Sequence, residues 1–285
     1  MKITVSIVTR GAAPYLDTVI RAYTENATDL DNVRIVVASD NDDPAWDERI
    51  DTPHEPHIIY SRALREDYLG AKWNRALRIA PADIYVMTTD DTGILTKGWD
   101  AKLRESAALF QDGVGVLYFG EAQGAVLPMV QAVTHGWADG FGGLFCEHFP
   151  YWFVDMWLHE LATMTQRVLW VDIAGELVGG RGKTKGLRDL RFWNDFFDRT
   201  RPLREYQADR AIDELYKGQP YRVAQLRGRL REVALASFSW SSQYIQQTSA
   251  QQEGALSIDA PEDDRYLRIK AKANAYMESL YKKAA

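Results

Sequence analysis

Carboxylates follow short apolar segments at two places in this sequence. Asp90 and Asp91 come two threonines after the run Ile84–Met87, and Asp40 closely follows the Val/Ile-rich run 33–38. Such runs are typical of buried strands, and open α/β sheets bind ligands outside the carboxyl ends of their strands. Carboxylates placed there could hold a divalent cation, a sugar or ribose hydroxyl, or both. Asp and Thr are also ordinary turn residues, so the motif alone leaves a solvated turn equally open.

A further carboxylate, Asp155, stands at the predicted start of a helix. Capping of that helix would explain an Asp at this position. Its neighbours Trp152, Phe153 and Trp157 would also exclude water from the carboxylate. Exclusion of water raises the pKa of a carboxyl group, and a raised pKa suits a general base.

A glycine-rich basic segment occupies residues 179–186, with Arg181, Lys183 and Lys185 as its cations. It is not a P-loop, because Leu177 stands where the first glycine of that motif is required. A solvated linker is one interpretation of the segment. The pattern favours the other, a mobile basic lid that closes over a diphosphate.

Composition indicates a globular protein of one or two domains, with 285 residues and 46% hydrophobic residues. The single cysteine, Cys146, excludes an internal disulfide framework and a cysteine-based zinc site. No signal-peptide core or apolar run of membrane-spanning length is present, so a cytoplasmic location is expected. Nine Trp and 14 Tyr fit either aromatic platforms for sugars or bases, or an aromatic-rich core.

Charge is divided unevenly along the chain. Up to residue 180 there are 14 Lys and Arg against 26 Asp and Glu, a net charge of −12, and the remainder carries 20 against 14, a net charge of +6. An acidic first part and a basic last part fit a site that holds a metal ion and an anion. Nucleic-acid binding by the basic part is the weaker interpretation, because acidic residues are interleaved with the basic ones.

Strands and helices alternate in the first part of the chain, with predicted strands at 3–9, 33–38, 57–60 and 84–87 and predicted helices from Leu16 and over 69–79. This alternation predicts an α/β fold whose mixed, mostly parallel sheet is flanked by helices. Right-handed crossovers would bring the ends of the first, second and fourth strands to one edge. Arg10, Asp40, Asp90 and Asp91 are then expected to share a crevice.

Further strands are predicted at 114–119 and 168–174, and residues 120–143 are expected to form strands and loops. After residue 187 the pattern becomes helical, with a loose polar segment at 246–259 and a terminal amphipathic helix at 264–283. We therefore expect an α/β domain at 1–180, and a basic lid loop with a C-terminal helical region at 181–285.

The order of these features resembles that of GT-A fold glycosyltransferases, most closely the family 2 type. The likeness rests on four segments, VSIVTRG, IVVASDNDD, GAKWNRALRIAPADIYVMTTDDTGILTKGWDAKL and FVDMWLHELA. Together they span roughly residues 3 to 175. The third is the most specific, because an Asn-bearing helix, a strand, an acid pair and a Gly-Trp helix start follow at the family's spacing.

The resemblance implies a nucleoside-diphosphate sugar as donor, and it makes residues 1–180 the GT-A domain that binds this donor and carries out catalysis. Thr9 and Arg10 would line the nucleotide pocket, Asp40 would contact the base and Asp90 the ribose. Asp91 would hold a divalent cation, Mn²⁺ or Mg²⁺, that neutralises charge on the departing nucleoside diphosphate. These residues make the chain similar to a metal-dependent glycosyltransferase that acts on an unidentified glycan, lipid-linked or protein acceptor.

Asp155 aligns with the residue that takes the acceptor proton in inverting members of the family. General-base assistance of this kind is worth about 10² to 10⁴ in rate. A base at Asp155 favours inversion of configuration.

The sequence departs from the family pattern at several positions. Thr88 replaces the first acid of the usual DxD cluster, and Val154 replaces the Glu that usually precedes the catalytic Asp. No later His ligand follows His159, so Glu176 is the nearest carboxylate that could substitute. Trp73 stands where the family often has Arg, which leaves Lys72 for the phosphate or base contact.

These departures keep a second class of function open, a nucleotide-sugar binding or scaffold protein that kept the fold and lost turnover. A nucleotidyltransferase is disfavoured because the loop after the first strand is poor in glycine. A dinucleotide-binding fold is disfavoured because GxGxxG is absent there.

Overall fold

The computed structural model describes residues 1–10, 15–43, 55–120, 127–178, 189–251 and 264–284. Eight strands lie in this part of the chain, which are β1 (Ile3–Val8), β2 (Val33–Asp40), β3 (Ile58–Ala63), β4 (Ile84–Thr89), β5 (Thr92–Ile94), β6 (Val116–Gly120), β7 (Val130–Thr134) and β8 (Val168–Leu177). The α-helices are α1 (Leu16–Glu25), α2 (Leu69–Ile79), α3 (Trp99–Ala107), α4 (His135–Phe141), α5 (Val154–Thr165), α6 (Leu190–Arg199), α7 (Arg201–Leu215), α8 (Pro220–Gln251) and α9 (Asp264–Ala284).

The described strands form one mixed sheet in the order β3-β2-β1-β4-β7-β6-β8-β5. The first four are parallel, with β1 between β2 and β4, while β7 runs antiparallel to both β4 and β6. Central parallel strands are buried on both faces, and β1 accordingly reads ITVSIV, with all six residues buried. The predicted α/β fold with a mostly parallel sheet is confirmed.

Alternation along β1 assigns its two faces to different helices. The odd positions Ile3, Val5 and Ile7 enter a core with the apolar residues of α1 and α3. On the even positions, the hydroxyl of Thr4 donates to the carbonyl oxygen of Ala80 at 2.7 Å, and that of Ser6 to Trp73 at 3.4 Å. The sheet therefore lies between helices, and on the second face hydroxyls of β1 bind one carbonyl oxygen within α2 and one just after its end.

The later elements differ in detail from the sequence prediction. The three-residue strand β5 follows the acid pair and is antiparallel to β8, where a loop was expected. Residues 135–141 form helix α4, which starts where the hydroxyl of Thr134 accepts a hydrogen bond from the backbone of Trp137. Helix α8 continues to Gln251, so the first residues of the segment expected to be loose, 246–251, are helical.

The described residues fall into two compact units. The first lies within Met1–Glu66, Gly70–Phe145 and Arg167–Arg181, and it contains the sheet with α1, α3 and α4 and nearly all of α2. The second lies within Asp67–Leu69, Cys146–Gln166 and Gly182–Ala285, and it contains helices α5 to α9. The sequence analysis assigns residues 146–166 to the first region, whereas they cluster here with the C-terminal helices.

Aromatic packing forms the centre of the second unit. Phe149 contacts Trp157, Trp193 and Phe196 at ring-centroid distances of 6.0, 5.9 and 5.3 Å. Much of the high Trp and Phe content is thus used for packing.

None of the helices in the described part of the chain combines the length and apolar character needed to cross a membrane.

Candidate functional site

Three neighbouring strands of the first unit deliver polar side chains to one edge of the sheet. Val8, the last residue of β1, is paired with Ala38 of β2 and with Thr89 of β4. Thr9, Asp40 and Asp90 therefore stand just beyond the same level of three adjacent parallel strands. Their convergence follows from the parallel register, as the sequence predicts for Asp40 and Asp90.

Thr9 and Asp90 are in direct contact at this edge. The buried hydroxyl of Thr9 donates a short hydrogen bond to Oδ2 of Asp90. The pKa of Asp90 is raised to about 6, because burial and the neighbouring charge of Asp91 raise it by more than the hydrogen bond from Thr9 lowers it. Contact with a hydroxyl or a cation would stabilise the charged form of a carboxylate buried in this way.

Asp91 is oriented by two threonines. Its Oδ1 accepts hydrogen bonds from the hydroxyls of Thr89 at 2.6 Å and Thr92 at 3.2 Å. Its carbonyl oxygen accepts from the backbone of Val178 at 2.8 Å, which joins the acid loop to the end of β8. No described residue hydrogen-bonds or ion-pairs with its Oδ2, so a hard carboxylate oxygen is available to a divalent cation.

The protein supplies few further ligands for such a cation. Glu176 is exposed on β8, opposite Gly93 of β5. Within the described ranges, no three His, Cys, Asp or Glu side chains lie close enough together to hold a metal ion. The arrangement fits a Mg²⁺- or Mn²⁺-type ion held by one or two carboxylates and completed by substrate phosphates, but not a cage made only of protein ligands.

Asp40 is buried between two cations. Nζ of Lys72 lies 2.8 Å from its Oδ1, and Arg10 Nη1 lies 2.7 Å from its Oδ2. Arg10 also binds Asp42 at 2.8 Å, and these two carboxylates raise the pKa of the guanidinium. Arg10 is 39% exposed against 2% for Asp40, so the guanidinium is the member of this group that can meet a ligand.

Replacement of Lys72 by Met tests this arrangement. The variant leaves the buried carboxylate of Asp40 with Arg10 as its remaining cation. We expect a loss of about 2 to 3 kcal/mol of unfolding free energy, below the roughly 3 to 5 kcal/mol of a fully broken buried pair. Urea unfolding measures this loss of stability. Arg78→Met, which replaces an exposed residue of the same helix, is the control. Equal stability of the two variants would contradict the assigned role of Lys72.

Two further residues of α2 support the same edge. Arg75 is buried and donates to the carbonyl oxygens of Ser39 and Ser61, both at 3.0 Å, and to Glu66 at 2.9 Å. Asn74 accepts from the backbone of Phe145 at 3.1 Å and donates to its carbonyl oxygen at 2.9 Å. Sequence reasoning missed Arg75, because an arginine on an amphipathic helix is usually solvated and gives no sign of burial.

Asp155 lies in the second unit, in the first turn of α5. The helix N-cap is Phe153, whose φ of 72° is in the left-handed region, so Asp155 is not the capping residue. Its Oδ1 accepts from the backbone of Met156 at 2.9 Å. Burial raises the pKa of Asp155, as the aromatic neighbours in the sequence predict. An outlying φ held beside such a carboxylate is a recurrent property of functional sites.

His159, one turn after Asp155, predicts a pH dependence of stability. Burial lowers its pKa from 6.5 to about 4, so below pH 6.5 the unfolded chain binds a proton that the folded protein does not. The free energy of unfolding should therefore fall between about pH 6.5 and pH 4, by roughly 2 kcal/mol after allowance for partial exposure.

Urea unfolding at several pH values measures this contribution as a difference from His159→Gln. The variant should lose less stability over the same pH range, while groups shared by both proteins cancel. Parallel curves for the two proteins would show that His159 titrates normally.

The structure thus brings together Thr9 with Asp90, and Arg10 with Asp40 and Lys72, in the first unit. Asp91 follows on the same loop, and Asp155 is described with the second unit. Arg181, Lys183 and Lys185 lie outside the described residues.

No protein-family model matches this sequence, and no curated protein matches it. Solved structures match by fold. The mannosyltransferase PcManGT from Pyrobaculum calidifontis, in complex with GDP-Man and Mn²⁺, is 15% identical, with 99% of this chain and 86% of that chain covered and a TM-score of 0.52. S. aureus TarS 1-349 is 13% identical, with 87% and 92% covered and a TM-score of 0.51. Its complex with UDP-GlcNAc gives 13% identity, the same coverage and a TM-score of 0.47.

At these identities the likeness concerns the fold. The described part of the chain has a GT-A-like, Rossmann-like glycosyltransferase fold, and the expected fold is confirmed.

Proposed function

We propose that this protein is a glycosyltransferase that moves a sugar from a nucleoside-diphosphate sugar to an acceptor hydroxyl. The observation that carries the proposal is the convergence of Thr9, Asp40 and Asp90 at the carboxyl edge of β1, β2 and β4. Ligands of open α/β sheets bind at such an edge. The fold supports the same function, and the P. calidifontis mannosyltransferase was solved with GDP-Man and Mn²⁺.

In this proposal the donor nucleotide lies along the three strand ends. Asp90, already hydrogen-bonded to Thr9, takes a ribose hydroxyl. Arg10 is half-exposed and can donate to a base carbonyl or a phosphate, while Asp40, itself paired with Lys72, holds the guanidinium in place. This assignment gives Asp40 a positioning role as well as any contact with the base.

Asp91 is the proposed protein ligand of a divalent cation, with Glu176 as the nearest additional carboxylate on β8. A cation held there would neutralise negative charge on the leaving nucleoside diphosphate. The threonines at 89 and 92 fix one oxygen of Asp91 and thereby orient the other. The chain itself contributes the orientation of that carboxylate, which an aspartate in a mobile loop would lack.

Asp155 is the proposed general base. A carboxyl group with a raised pKa accepts a proton more readily than an ordinary aspartate, and its position in the first turn of α5 is fixed by the backbone of Met156. Removal of the acceptor proton by a protein base fits direct displacement, which inverts configuration at the transferred sugar.

A thermal-shift panel tests donor binding. Purified protein is heated with UDP, GDP, UDP-sugars and GDP-sugars, each with and without Mn²⁺. The proposal predicts that at least one sugar nucleotide raises Tm and that Mn²⁺ increases this rise, because a ligand that binds the folded state stabilises it. No rise with any nucleotide, at any Mn²⁺ concentration, would contradict donor binding.

A second candidate is a nucleotide-sugar binding protein without turnover. Two observations favour it: Thr88, in place of the first acid of the cluster, is buried, and the described residues form no three-ligand metal cluster. Binding without release of nucleoside diphosphate would support this candidate over the enzyme.

A further inference from the structure

Helix α5 has a single partly exposed face. Nine of its 12 residues are buried, and the other three are Asp155, His159 and Thr163. Residues four apart lie above one another on a helix, so these three form one line, here called the α5 polar stripe. The stripe therefore presents a carboxylate, an imidazole and a hydroxyl along the one face of α5 that is not buried.

An aromatic pair leads directly into this stripe. Tyr151 and Trp152 are both partly exposed, with ring centroids 5.0 Å apart and ring planes at 86°. Phe153 follows in the left-handed conformation and turns the chain into α5. The backbone at Phe153 therefore holds the aromatic pair at the start of the helix that carries the stripe.

The charge of this surface restricts its ligand. Residues 151–165 contain no Lys or Arg, and Asp155 contributes a carboxylate. Burial lowers the pKa of His159 to about 4, so its imidazole is neutral at pH 7 and both donates and accepts hydrogen bonds. A phosphate bound along residues 151–165 would meet that carboxylate and no lysine or arginine of the segment. A polyhydroxylated, uncharged ligand would meet hydrogen-bonding groups and aromatic faces.

We infer that the α5 polar stripe and the Tyr151–Trp152 pair bind a neutral saccharide as the sugar acceptor. The inference rests on the proposed function, with Asp155 as the group that meets the acceptor hydroxyl. His159 and Thr163 hydrogen-bond to neighbouring hydroxyls, and the aromatic rings pack against the apolar C–H face of the sugar.

The test compares neutral and phosphorylated ligands on the whole protein. Saturation-transfer NMR and calorimetry measure binding of p-nitrophenyl glycosides of glucose, galactose, mannose and N-acetylglucosamine, and of glucose 1-phosphate and farnesyl phosphate, all with Mn²⁺ and UDP or GDP present. The inference predicts that at least one neutral glycoside binds and that neither phosphate competes with it. Tighter binding of a phosphate, or binding of no glycoside, would overturn it.

Substitutions locate the site. Trp152→Ala and His159→Ala should each weaken glycoside binding by about tenfold, the loss expected for one stacking or hydrogen-bonding contact. Trp152→Phe should recover most of the affinity, because it restores an aromatic face. The exposed residues Tyr221 and His135 give the control variants Tyr221→Ala and His135→Ala, which should bind like wild type. Equal affinities across all five variants would place the glycoside elsewhere.

Release of nucleoside diphosphate by the wild-type protein separates the two levels of the proposal. If wild type releases it and no neutral glycoside binds, the saccharide inference fails while the proposed function stands. If the wild-type protein releases no nucleoside diphosphate with any donor, the proposed function itself fails.

Discussion

Replacement of Asp155 by Asn is expected to lower turnover by about 10² to 10⁴ while donor binding stays nearly unchanged. The amide keeps the size of the carboxyl group and cannot take the acceptor proton. The acidic limb of the pH–rate profile, displaced upward by the raised pKa of Asp155, should disappear in the variant. Steady-state release of nucleoside diphosphate with an acceptor present gives the rate, and thermal shift gives donor binding.

Asp139→Asn is the matched control, since Asp139 is exposed on α4 of the first unit. It should turn over at the wild-type rate. If Asp155→Asn lost donor affinity and turnover by the same factor, Asp155 would be a donor-binding or structural residue, and the base would have to be sought elsewhere.

Replacement of Glu160 by Gln is expected to cost about 3 to 5 kcal/mol of unfolding free energy. Glu160 and Arg204 form an ion pair in which both side chains are fully buried. Arg204 also donates to the carbonyl oxygen of Phe197 at 2.7 Å, and its guanidinium lies 3.7 Å from the centre of the Phe197 ring. Loss of the carboxylate leaves a buried guanidinium charge without its counter-ion.

The double variant Glu160→Met, Arg204→Met should recover most of this loss, because it removes both buried charges. Arg227→Met is the control, since Arg227 of α8 pairs with Asp209 and Asp213 of α7 at an exposed site, where solvent screening leaves an ion pair with little effect on stability. Urea unfolding at pH 7 measures all three variants. A cost for Glu160→Gln no greater than that for Arg227→Met would show that the buried pair is not a principal support of α5.

The parallel part of the fold could be predicted from the sequence because its signals are local. Runs such as ITVSIV and VRIVVA alternate with helical stripes, and right-handed crossovers then require strand ends to share an edge. Strand β5 could not be predicted, because three residues after an acid pair carry no periodicity. Its strand character depends on pairing with β8, more than 80 residues later.

Some features of the candidate site could likewise be predicted from the sequence, and others could not. Asp90 and Asp40 could be predicted as neighbours because both follow buried strands. The partnership of Lys72 with Asp40 and the burial of Arg75 could not, since a lysine or arginine on an amphipathic helix is usually solvated. The Glu160–Arg204 pair could not be predicted either. The two charges are 44 residues apart in the sequence, and their pairing depends on tertiary packing.

Release of nucleoside diphosphate from UDP- and GDP-sugars with Mn²⁺, compared between wild type and Asp91→Ala, tests the proposed glycosyl transfer most directly. Wild type should release the diphosphate from at least one donor and lose this activity with a chelator. Asp91→Ala should fall by about 100-fold or more, since a bound cation contributes several kcal/mol of charge stabilisation. No release from any donor, or equal rates in the two proteins, would contradict the proposal.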